Sequence, residues 1–104
     1  MNERRRHSRV ALEAPVTFVA AGDQAVFRGT ARDISFGGIF FQARHVLPLG
    51  TELVVTITLP DSVDEISLPG VVRWQRPDGM GVEFALLGER ETRVLGDFVD
   101  SASS

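Results

Sequence analysis

The sequence contains no cysteine and no lysine. Without cysteine it forms no disulfide, builds no thiolate metal site and offers no cysteine nucleophile, which fits a reducing compartment. Without lysine, every basic side chain is an arginine. The arginine fork binds phosphate and guanine edges through paired hydrogen bonds, which an ammonium cannot do, although genome composition alone can also produce a lysine-free chain. Histidine is scarce: His7 and His45 are the only two. They show no HExxH-type spacing, and two imidazoles are too few for a zinc site. There is no GxSxG elbow and no phosphate-binding loop. The carboxylates Asp61, Asp64 and Glu65 share a polar segment and read as a solvated turn rather than an acid–base pair. These absences argue against an enzyme, and no metal or cofactor is expected. No apolar run is long enough to span a bilayer. No apolar stretch follows the charges of residues 1–7, as a secretory signal would require. The expectation is a soluble, cytoplasmic protein without membrane insertion.

What is present points to one small domain. A chain of 104 residues can bury a single modest core. With 43% hydrophobic residues, disorder from lack of apolar surface is excluded. The net charge of −3 is unevenly spread. Residues 1–9 carry Arg4, Arg5, Arg6 and Arg9 against Glu3 alone; without these five, 7 basic residues face 13 acidic ones, a charge of −6. A cationic arm is thus joined to an acidic body.

Along the chain, Pro15 to Ala20 is a β-rich run closed by a turn at Gly22-Asp23. Residues Ala25 to Arg32 alternate with a period of two and read as a strand, with Gly29 marking a bulge. Asp33 to Gly38 is a polar, glycine-rich reversal, after which Ile39-Phe40-Phe41 starts another strand. Thr51 to Leu59 places Leu53, Val55, Ile57 and Leu59 on one face. Ile66 to Trp74 is a further strand, interrupted near Pro69-Gly70; Pro77-Asp78-Gly79 is a turn, and Gly81 to Phe84 is the last strand. From Glu89 the spacing becomes helical, with Leu95, Phe98 and Val99 on one face and Gly96 as the weak point. The serines at 101–104 suggest a disordered tail. Six short strands and one helix predict an all-β fold, an antiparallel barrel or sandwich with a terminal helix.

Two clusters carry chemistry. One is Arg5-Arg6-His7-Ser8-Arg9, two arginines with three residues between them; the other is Asp33-Ile34-Ser35-Phe36-Gly37-Gly38, an Asp-x-Ser-x-x-Gly at a strand-to-strand turn. Either alone reads as a solvated arginine-rich end or as ordinary turn chemistry. Together they suit one kind of ligand. Arginines satisfy phosphates and the O6/N7 edge of guanine. An aspartate accepts from a purine's N–H edge. A serine hydroxyl bonds a phosphate or orients the turn, and glycine lets ligand and backbone approach closely.

The sequence resembles the PilZ family, whose two motifs are RxxxR and (D/N)xSxxG. They stand here as Arg5-x-x-x-Arg9 and Asp33-x-Ser35-x-x-Gly38, followed by Gly70-Val71-Val72-Arg73-Trp74 and Gly79-Met80-Gly81-Val82-Glu83-Phe84, which look like the family's later strands. The resemblance implies a six-stranded antiparallel β-barrel over residues 10–100 with a C-terminal helix, preceded by a flexible arm, residues 1–9. It implies cyclic di-GMP as the ligand, with Arg5 and Arg9 clamping phosphate and guanine and Asp33, Ser35, Gly37 and Gly38 forming the opposite wall. A basic residue before the first motif, here Arg4 with Arg6 nearby, implies a stacked ligand dimer. Trp74 fits either packing or stacking against guanine, and the sequence does not choose. Phe18, Phe27, Phe40, Phe41, Phe84 and Phe98 read as core, whereas Phe36 stands at a variable motif position open to a partner.

The expected function is a receptor whose arm rearranges on binding and signals to a partner protein. One rival is a PilZ-like interaction module that binds no nucleotide. Another is a nucleic-acid-binding barrel, which a body of −6 disfavours because a phosphate backbone needs a basic track. No nucleic-acid partner is therefore expected.

Overall fold

Alternation in the strands sets the architecture. In Glu52–Thr58 the side chains of Leu53, Val55 and Ile57 are buried, while Glu52, Val54 and Thr58 are exposed. A two-residue period turns one face of a strand inward, and a sheet this short removes its open edges by closing on itself. The computed structural model, which describes residues 9–60 and 62–103, is such a closed sheet. The strands are β1 (Val10–Ala20), β2 (Phe27–Ile34), β3 (Gly38–Ala43), β4 (Glu52–Thr58), β5 (Glu65–Arg76) and β6 (Gly79–Phe84), followed by helix α1 (Glu89–Ser103). All pairings are antiparallel, in the barrel order β1-β2-β3-β6-β5-β4, and β1 closes the ring by pairing with both β2 and β4.

The core is the inside of the barrel. Phe18, Ile34, Phe41, Val55, Leu68, Met80 and Val82 are fully buried there. Helix α1 adds Leu95 and Val99 to the same cluster, with Val94 and Phe98 packed against it. Its first turn carries Glu89 and Glu91, as the helix dipole favours. Among the described residues no helix is long and apolar enough to cross a membrane.

Several local features depart from the sequence pattern. Strand β1 begins at Val10, five residues before the β-rich run, because its early part is held by pairing with Asp33 and Ile34 at the end of β2. Strand β5 runs unbroken through Pro69-Gly70. Helix α1 continues through Ser103, so the segment expected to be a disordered tail carries its last turn; neither proline nor glycine follows Gly96 to stop it.

The irregularities that matter lie elsewhere. In β2, Ala31 pairs with Phe41 and Asp33 with Phe40, so Arg32 is an extra residue, a β-bulge. In β5, Val72 pairs with Val82 and Trp74 with Gly81, so Arg73 is a second extra residue. Gly29, by contrast, sits in regular register opposite Ala43.

Candidate functional site

Each bulge reverses the side chain that follows it. Ile66, Leu68 and Val72 point into the barrel, and an unbroken period of two would carry Trp74 inward after them. The extra Arg73 turns Trp74 outward, where it is 53% exposed. In β2 the extra Arg32 lets Ala31 and Ile34 both face the core and swings Asp33 to the outside.

The register then aligns the two. Asp33 pairs with Phe40, Phe40 with Gly81 and Gly81 with Trp74, one row across β2, β3, β6 and β5. Along this row lies a groove of about 460 Å³ lined by Arg9, Asp33, Phe40, Trp74, Arg76 and Gly81. Gly81 is required there, because a Cβ at that position would overlap the indole Cε3 of Trp74. Trp74 therefore lies against the β6 backbone. Beside it the Arg76 guanidinium sits 5.0 Å from the centroid of the Phe40 ring, a cation–π contact.

At the other end of the row, an Nη1–H of Arg9 donates to Asp33 Oδ1. The last residue of the first motif and the first residue of the second thus meet, 24 positions apart. Arg4, Arg5 and Arg6 lie outside the described residues, as does the expected flexibility of residues 1–8.

The remaining motif residues shape the turn. Ser35 is 4% exposed. Its hydroxyl accepts from the N–H groups of Gly37 at 3.1 Å and Gly38 at 3.2 Å, and its own N–H donates to the Gly38 carbonyl at 2.8 Å. The Gly37 carbonyl accepts from Phe84 N–H at 2.9 Å, tying the turn to β6. A Cβ on Gly38 would come within 2.5 Å of the Val82 carbonyl oxygen, so glycine lets β3 and β6 approach. Ser35, Gly37 and Gly38 thus hold together the turn that follows Asp33 and Ile34. Phe36, 37% exposed, rests against Gly96 of α1.

Phe40, Arg76 and Gly81 join the groove although none was a candidate from the sequence, and Phe40 departs from its expected place in the core. Chemically the groove combines a carboxylate acceptor, an arginine fork and two flat aromatic surfaces. That set suits a planar heterocycle with N–H donors and an attached anion. Among the described residues no cluster of three metal-ligating side chains occurs.

In fold the chain is a closed six-stranded antiparallel β-barrel with one C-terminal helix. The sequence matches the family model of the PilZ domain over residues 3–101, and the chain belongs to that family. No curated protein matches the sequence. Among solved structures, the chain is similar to the inhibitor of motility MotI/DgrA of Bacillus subtilis, with a TM-score of 0.80 and 21% identity. That match covers 97% of this chain and 52% of the other, so the chain spans about half the length of the motility inhibitor. It is also similar to the PilZ domain of CeSA from a cellulose-synthesizing bacterium, with a TM-score of 0.72, 16% identity and coverage of 92% and 98% of the two chains. A third is the PilZ domain of YcgR from Escherichia coli with c-di-GMP, with a TM-score of 0.75, 13% identity and coverage of 97% and 92%. At these identities the likeness shows a shared fold.

Proposed function

We propose that this chain is a receptor for cyclic di-GMP, bound on the outside of the barrel along the row from Asp33 to Trp74. PilZ domains are receptor and adaptor modules whose ligand is cyclic di-GMP, and one of the similar structures is described with it. The observation that carries the reading is the meeting of Arg9 and Asp33 at one end of a groove whose other end is Trp74. Asp33 accepts from the N1–H and N2–H edge of a guanine, Trp74 offers its face to a base, and Arg9 reaches a phosphate. Arg4, Arg5 and Arg6 close on the ligand from the arm, and their number favours a stacked pair of ligand molecules. The bound form then engages an effector protein.

Calorimetric titration of cyclic di-GMP into the full chain tests this, with Arg9→Ala and Asp33→Ala in parallel and GTP as control. Both partners of the ion pair are substantially exposed, at 50% and 32% of their side-chain areas. The pair itself therefore contributes no more than about 1 kcal/mol to folding, and both variants keep their fold. The expected result is saturable binding, weakened at least about tenfold in each variant, with no heat from GTP. Absence of heat from the folded wild-type protein would sink the reading and leave an interaction module that binds no nucleotide.

A further inference from the structure

Beside the nucleotide groove, towards the end of the β2–β3 ladder, lies a wider and shallower one of about 590 Å³. Thr30 pairs with Gln42 and Gly29 with Ala43, and the next residues outward are Arg28 and Arg44. All of these line the groove, together with Pro77 and Asp78 of the β5–β6 turn. The turn is pinned in place. The Asp78 carbonyl accepts from Ala43 N–H at 2.9 Å, and its carboxylate accepts from Gln42 Nε2 at 2.9 Å.

Arginine outnumbers carboxylate on this face, where Asp78 is the one acidic residue lining the groove. Among the described residues, Arg9, Arg32, Arg73 and Arg90 each have a carboxylate partner. Arg28, Arg44, Arg76 and Arg93 show none, and the first three lie on this one side of the barrel, Arg76 bordering the neighbouring groove. They stand on a body that is otherwise strongly acidic. A small anion gains little from exposed arginines in an open depression. An extended acidic segment engages several at once, and the acidic remainder of residues 10–104 disfavours its docking elsewhere on the barrel. A nucleic-acid backbone needs a longer basic track than three arginines beside Asp78 provide.

We infer that this groove is a docking surface for an acidic segment of a partner protein, with Arg28 and Arg44 as its anchoring residues. The inference goes beyond the nucleotide reading and does not depend on it, since peptide docking is measured without nucleotide.

The test is a titration of deca-glutamate into the isotope-labelled full chain, followed by amide and guanidinium NMR, with deca-glutamine and a short oligothymidylate as controls. The expected result is a shift of the Arg28 and Arg44 Nε resonances and of the Thr30, Gln42 and Ala43 amides, with no response to deca-glutamine. Those shifts should vanish in an Arg28→Gln/Arg44→Gln variant whose remaining spectrum shows an intact fold. Affinity should fall about tenfold or more between about 0.05 and about 0.5 M salt, as screening requires. Shifts confined to residues 1–9, or persisting in the double variant, would overturn the inference. So would a larger response of the same residues to oligothymidylate, which would make the face a nucleic-acid surface.

Discussion

Ser35 shows how a motif residue can be tied into its own turn. Its hydroxyl is committed to two backbone amides of its own turn, those of Gly37 and Gly38, and one of the two is buried. In Ser35→Ala both donors lose their acceptor and water cannot fully replace it. An unsatisfied buried donor costs about 1–3 kcal/mol. For a domain of this size that lowers the melting temperature by roughly 5–15 °C. Asp33 is different: among the described residues its carboxylate is held by one exposed ion pair, that with Arg9. The two variants should therefore separate. Thermal denaturation should fall for Ser35→Ala and barely move for Asp33→Ala. Ligand titration at low temperature, where both are folded, should lose far more in Asp33→Ala. Equal loss of ligand in both would mean that the serine hydroxyl leaves its turn to bind.

At the scale of elements, Gly96 is a residue that helix propensity alone makes awkward. It sits in the middle of α1, where glycine costs about 1 kcal/mol relative to alanine. A Cβ there would approach Phe36 Cε1 to 3.3 Å, tight but not prohibitive. The Phe36 ring is 37% exposed and can yield by the few tenths of an ångström needed. The propensity gain exceeds that small displacement, so Gly96→Ala should stabilise the protein by about 0.5–1 kcal/mol. Chemical denaturation would read this as a higher midpoint at unchanged slope; a lower midpoint would show that the Phe36 contact is rigid. The same scale explains what the sequence could tell. Alternation in β4 and the helical spacing of Leu95, Phe98 and Val99 are local, and both elements form around those residues, α1 running on through Ser103. Arg9, Asp33, Ser35 and Gly38 were visible because short motifs are local as well. Phe40, Arg76 and Gly81 were not. Their place in the groove depends on which strand lies beside which, and on bulges at Arg32 and Arg73 that nothing in the flanking residues announces. An apolar Phe40 amid Ile39 and Phe41 reads as core until the register puts it on the outer face.

At the scale of the whole molecule, the proposed closing of a cationic arm over an acidic barrel can be weighed as a balance of free energies. Fixing the backbone of the eight residues before Arg9 costs roughly 8–16 kcal/mol if all become ordered. Each charge-assisted hydrogen bond returns about 1.5–3 kcal/mol. A single arginine, even bound through both arms of its fork, cannot meet that cost. Three or four arginines engaged with the phosphates and guanine edges of a cyclic dinucleotide can, and the arm carries Arg4, Arg5, Arg6 and Arg9. Without ligand, Arg9 has Asp33 as a partner, while like charges at Arg4, Arg5 and Arg6 repel one another. Closure should therefore be all-or-nothing with respect to arginine number. Trypsin, which cleaves after these arginines, should cut the arm of the free protein readily and that of the ligand-saturated protein at least about tenfold more slowly. In Arg5→Gln/Arg6→Gln the remaining forks fall short of the ordering cost, so saturating ligand should no longer protect the cleavage sites that remain. Equal cleavage of the wild-type arm with and without cyclic di-GMP, at a concentration shown by calorimetry to saturate, would mean that the ligand binds to the barrel alone. The signal would then have to leave through the barrel surface rather than through the arm.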